Sequence, residues 1–120
     1  MKENAFSGGI VMNRFFPEMK KNFGFGCMRL PKQGDEIDTA AFSAMVDAFL
    51  AAGFNYFDTA HPYMALRSEG ATRKALVKRY PREDFVLCDK LSVNFFEKQE
   101  DIRPLFEKQL ACCGVDVDKK

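Results

Sequence analysis

The chain has 120 residues, of which 47% are hydrophobic and 13 are phenylalanines, so it suits one packed domain and is too short for two ordinary ones. Eighteen basic residues stand against 17 acidic ones, and the resulting formal charge of +1 supplies no electrostatic footprint for nucleic acid or an anionic membrane. Abundant aromatics and a near-zero charge also exclude a disordered chain.

Residues 8–12 form an apolar stretch too short, and broken too soon by Asn13 and Arg14, for a signal-peptide core. Residues 1–18 read as an N-terminal extension or hairpin ahead of a domain over 19–120, with Met19 as an alternative start. From Asn22 to Cys27 a short apolar run interrupted by Gly24 and Gly26 predicts a strand, and Met28 to Glu36 predicts a loop. A helix follows from Thr39 to Ala52: Phe42, Met45, Val46, Phe49 and Leu50 recur at helical spacing, Asp38 stands as N-cap and Gly53 as stop.

Phe54 to Phe57 is β-favouring and ends at Asp58. After the loop His61 to Leu66, a second helix is expected from Glu69 to about Arg79, with Ala71, Ala75 and Leu76 inward; its basic residues from Arg73 to Arg82 read as a solvated face. The unbroken apolar run Phe85 to Cys88 suits a strand buried on both faces of a parallel sheet. A third helix is placed from Asp101 to Cys113, with Ile102, Phe106, Leu110 and Cys113 on one face and Gly114 as stop, before a further connection or strand from Val115.

The apolar segment from Ala40 to Phe57 is interrupted by Ser43, Asp47 and Asn55, which does not suit a membrane span. Cys27, Cys88, Cys112 and Cys113 have no zinc or C-x-x-C redox spacing; reduced cytoplasmic thiols, one of the adjacent pair serving as a small core residue, are expected. The β-α-β-α-β-α order predicts an α/β chain with a right-handed parallel sheet, either a piece of a barrel or a doubly wound sheet.

In barrels of alternating strands and helices the reactive groups sit at the C-terminal ends of strands, and Asp58 and Lys90 occupy two such positions, with Tyr63 in the adjoining loop. A tyrosine is ordinarily a poor acid, with a reference value of about 10, but a nearby ammonium stabilises its phenolate. Asp58 would hold Lys90 charged and oriented, and Tyr63 would pass a proton to a carbonyl oxygen as a cofactor delivers hydride.

Residues 53–60, reading GFNYFDTA, followed by Tyr63 and Ser68-Glu69, resemble the aldo-keto reductase signature around its catalytic Asp and Tyr. Val86-Leu87-Cys88 before Lys90 is similar to the segment carrying that family's catalytic lysine, and residues 24–31 resemble its first-strand loop. The resemblance implies the N-terminal part of a (β/α)8 TIM barrel that reduces aldehydes or ketones, with NADPH as cofactor (NADH is the other possibility) and no metal. It implies catalytic roles for Asp58, Tyr63 and Lys90, and cofactor contacts at Gly26, Cys27, Met28 and Asp58. The family's catalytic histidine would fall beyond Lys120, and His61 is expected as a loop or pocket-rim residue.

A full barrel of this kind needs roughly 250 residues, so three of its eight units predict a truncated form, with uncovered edges open to self-association. An inactive remnant or assembly piece is the alternative. A dinucleotide-binding fingerprint is disfavoured: Gly24-x-Gly26 lacks a third glycine, and Pro31 blocks an immediate helix start. No cysteine spacing suits an iron–sulfur module.

Overall fold

The computed structural model describes residues 17–115. In chain order these form β1 (Gly24–Gly26), a two-strand hairpin of β2 (Lys32–Gln33) and β3 (Glu36–Ile37), α1 (Thr39–Ala51) and β4 (Tyr56–Asp58). Then come α2 (Ser68–Thr72), continued by a wider π turn over Arg73–Val77, β5 (Val86–Cys88) and α3 (Ile102–Cys113).

β1, β4 and β5 form one parallel sheet in that order, each neighbouring pair joined through a helical crossover. The register sets Gly26 beside Asp58 and Asp58 beside Cys88, so the three strands end in one row. Side chains alternate across a strand. Phe25, Phe57 and Leu87 therefore point one way and pack with Phe42 and Val46 of α1, Ala71 of α2 and Ala75 and Leu76 of the π turn. Gly26, Asp58 and Cys88 occupy the opposite face.

Aromatic rings dominate the first crossover. Phe25 lies 5.8 Å from Phe42, 5.4 Å from Phe49 and 5.7 Å from Phe57 between ring centroids. Such contacts add about 0.5–1.5 kcal/mol each to the area they bury. Local signals set the limits of α1: the Asp38 carboxylate accepts the Ala41 N–H at 3.0 Å, and Gly53 leaves the helix at φ 96°, a left-handed conformation that suits glycine. Gly114, at φ 79°, ends α3 in the same way.

Several expectations need correction. Met45 is 44% exposed because α1 buries only the narrower stripe containing Phe42 and Val46. On α3 the buried residues are Leu105, Gln109 and Cys113, while Phe106 is 42% exposed; the inward face is turned from the expected one because a polar side chain, Gln109, finds buried partners. β5 is only half-buried, since among the described residues it is an edge strand without a neighbour on its far side. The loop expected over Lys32 to Glu36 contains the β2–β3 hairpin, whose turn uses Gly34 at φ 66°.

β4 begins later than the apolar run suggests. Asn55, 2% exposed, accepts the Lys20 N–H through Oδ1 at 2.8 Å and donates through Nδ2 to the Glu18 carbonyl at 2.8 Å, tying residues 18–20 to the base of the strand. Apart from Pro17 and Glu18, the expected N-terminal extension lies outside the described residues, as does the chain from Asp116. Among the described residues no helix is long and apolar enough to cross a membrane.

Candidate active site

The row of strand ends assembles the three residues singled out for chemistry. Asp58 is the last residue of β4, and Lys90 follows β5 by two positions. Lys90 Nζ donates to Asp58 Oδ2 at 2.8 Å, to Oδ1 at 2.9 Å and to the Thr59 carbonyl at 3.1 Å, which occupies all three ammonium hydrogens. The same nitrogen lies over the Tyr63 ring, 4.8 Å from its centroid. Partial burial works against the lysine charge, but the Asp58 carboxylate bonded to it and the neighbouring Tyr63 outweigh it and raise the Lys90 pKa.

Tyr63 opens a short helical turn, Tyr63–Leu66, in which Met64, Ala65 and Leu66 have φ of 55°, 55° and 70°. Three consecutive non-glycine residues in the left-handed region store strain of about 1–2 kcal/mol each. Contacts on either side hold the turn: the Leu30 N–H donates to Met64 Sδ at 3.5 Å, and Arg67 Nη2 donates to the Asp35 carbonyl at 2.9 Å.

The expected cofactor-facing residues divide. Gly26 is exposed, and a methyl group built on it would meet none of the described residues within 4 Å, so among these the sheet is open above it beside Asp58. Met28 is 43% exposed. Cys27 is wholly buried, and burial pushes its thiol up to about 11; its main chain, not its sulfur, borders the open row. Strand alternation explains this, because the residue after Gly26 turns to the helix-covered face.

A buried polar network behind the row was not legible from residue types. Ser68 Oγ donates to the Cys27 carbonyl at 2.8 Å, and since that uses its only hydrogen, Thr59 Oγ1 donates to Ser68 Oγ, also at 2.8 Å. Ser68 thus joins the ends of β1 and β4. Glu69, 1% exposed, pairs through Oε1 with His61 Nδ1 at 2.7 Å, and its Oε2 accepts from Gln109 Nε2 at 3.2 Å. Burial, reinforced by Asp89, pushes the Glu69 carboxyl up to about 9, so it carries a proton near neutrality.

His61 lies in the loop after β4, as expected, but in the interior rather than on a pocket rim. It is 6% exposed, bonded to Glu69 and edge-on to Phe95 at 5.0 Å. Cys113 is buried, as expected for one of the adjacent pair, and donates to Asp89 Oδ2 at 3.7 Å. The sequence signal for the network was the Ser68-Glu69 pair, but nothing in it identified Gln109 or His61 as partners.

The model of the Aldo/keto reductase family matches residues 22–118 of the chain. No curated protein matches it.

Proposed function

We propose, because the chain belongs to the Aldo/keto reductase family, that its strand-end row is the carbonyl-reducing site of an NAD(P)H-dependent oxidoreductase, with NADPH the favoured cofactor. The observation that carries this reading is the position of the Lys90 ammonium, bonded to both Asp58 oxygens and seated over the Tyr63 ring. Tyr63 is assigned as the proton donor to the carbonyl oxygen, Lys90 as the charge that stabilises its phenolate, and Asp58 as the residue that keeps Lys90 charged and in place.

The cofactor's chemistry is the supply of hydride. The open space above Gly26, beside Asp58, would admit the cofactor's hydride-bearing ring, and a larger residue in place of Gly26 would project into that space. Gly26, Met28 and Asp58, with the main chain at Cys27, are assigned to hold it. α1, α2 and the π turn pack against one face of the sheet and leave the strand-end row on the other, which supports a piece of a (β/α)8 barrel over a doubly wound sheet with helices on both faces. The four free cysteines accord with a reducing, cytoplasmic setting.

One observation favours a second reading, an assembly piece without turnover. Among the described residues β1 and β5 are both edges, and Phe23 at 63% and Val93 at 75% exposure offer apolar surface for self-association. Titration of the chain with NADPH, followed by fluorescence, and NADPH consumption with small aldehydes and ketones separate the two. The enzyme reading expects saturable binding and turnover that Tyr63→Phe lowers by roughly 10²–10⁴-fold. Absence of NADPH binding, with a mass in solution above the monomer, would support the assembly reading.

A further inference from the structure

We propose that Gln109, on α3 and far in sequence from the strand ends, is a positioning residue that holds the main chain of Lys90 so that its ammonium reaches Asp58 and Tyr63. The inference rests on the role given to Lys90 above. Lys90 lies beyond the last paired residue of β5, where the sheet ladder no longer holds the backbone. Side chains take over there: Asp89 Oδ1 accepts the Lys90 N–H at 2.8 Å, and Gln109 Nε2 donates to the Lys90 carbonyl at 2.8 Å.

Gln109 is itself fixed. It is 2% exposed, and its Nε2 also donates to Glu69 Oε2, whose other oxygen is bonded to His61. His61 follows by two residues Thr59, whose carbonyl accepts from Lys90 Nζ. A closed circuit results: the lysine's head is tied to the loop after β4, and its backbone is tied to that same loop through Gln109, Glu69 and His61. A long flexible side chain held at both ends has few alternative ways to place its charge.

The remaining atom of the amide supports a positional role. Gln109 Oε1 is buried without a hydrogen-bond partner among the described residues. Turning the amide over would place that oxygen against the Lys90 carbonyl, which can only accept, and lose the bond to Lys90. The orientation seen keeps the grip on Lys90 and leaves an acceptor unsatisfied, an arrangement unfavourable for stability by itself. A residue that only filled the core would be better as methionine or leucine.

The test compares the wild-type chain with Gln109→Met, which keeps the length and removes the donor. The Lys90 amine is titrated by NMR on lysine-labelled protein, with Lys90→Arg identifying the signal, and steady-state carbonyl reduction is measured in parallel. The expected result is a Lys90 amine raised above the ordinary lysine range in the wild type and returned toward it in Gln109→Met. With it, kcat should fall by roughly ten- to a hundredfold while KM is unchanged. A variant that folds with the same Lys90 titration and the same kcat overturns the inference. If the wild type transfers no hydride, the reductase reading fails, and the Lys90 titration in the variant still decides the role of Gln109. Should Gln109→Met not fold, Gln109→Leu is read in the same way; failure of both to fold would make Gln109 a core requirement and overturn its assignment to Lys90.

Discussion

Replacing Ser68 by alanine tests whether one hydroxyl joins the strand ends. Ser68 is wholly buried, and its oxygen makes two bonds of 2.8 Å, one donated to the Cys27 carbonyl and one accepted from Thr59. Each bond contributes about 1 kcal/mol net, and a buried group left without a partner costs about 1–3 kcal/mol. With the overlap between those terms removed, Ser68→Ala should destabilise the chain by roughly 2–4 kcal/mol. Native domains hold only about 5–15 kcal/mol in all, so the loss is easily resolved. Urea unfolding followed by circular dichroism gives the value, provided the slope against denaturant is unchanged. Thr59→Val removes the other partner of the shared bond, so the double variant should fall short of the sum of the two single losses by roughly 1 kcal/mol. A Ser68→Ala loss below about 0.5 kcal/mol, the range of ordinary surface substitutions, would refute the reasoning. So would additive single losses, which would mean that the two hydroxyls do not share a bond.

The carboxyl of Glu69 makes stability depend on pH in a stated direction. Its folded value of about 9 lies above the ordinary 4.5, so the folded chain keeps a proton that the unfolded chain releases. The associated stability is complete below about pH 4.5 and is lost as pH rises toward about 9. Urea midpoints for Glu69→Gln should decline less between about pH 5 and about pH 8 than those of the wild type; parallel declines would show that Glu69 is ionised in the fold. At Ala65, φ 55° favours glycine, so Ala65→Gly should be neutral or stabilising by up to about 1 kcal/mol, whereas Ala44→Gly inside α1 should cost about 1 kcal/mol. Thermal melts giving both substitutions the same sign would remove the left-handed turn from the account.

Much of the frame was legible because it rests on local rules. Asp38 caps α1, Gly53 and Gly114 end helices where a left-handed residue is required, and the apolar runs before Asp58 and Lys90 mark strands whose ends carry the polar residues. Parallel pairing then brings Asp58 and Lys90 together even though they are 32 residues apart in the chain. The inward turn of Gln109, the burial of His61 and the withdrawal of the Cys27 thiol were not legible in the same way. A polar side chain becomes a favourable interior residue only when a partner is delivered to it, and the partner of Gln109 lies 40 residues away on another helix. Periodicity in one segment carries no information about that partner, so α3 was expected to face inward through Phe106, while packing against α2 selected Leu105, Gln109 and Cys113. The residue types and the order of elements come from the chain itself; the hold on Lys90 exists only where two strand ends and two helices meet.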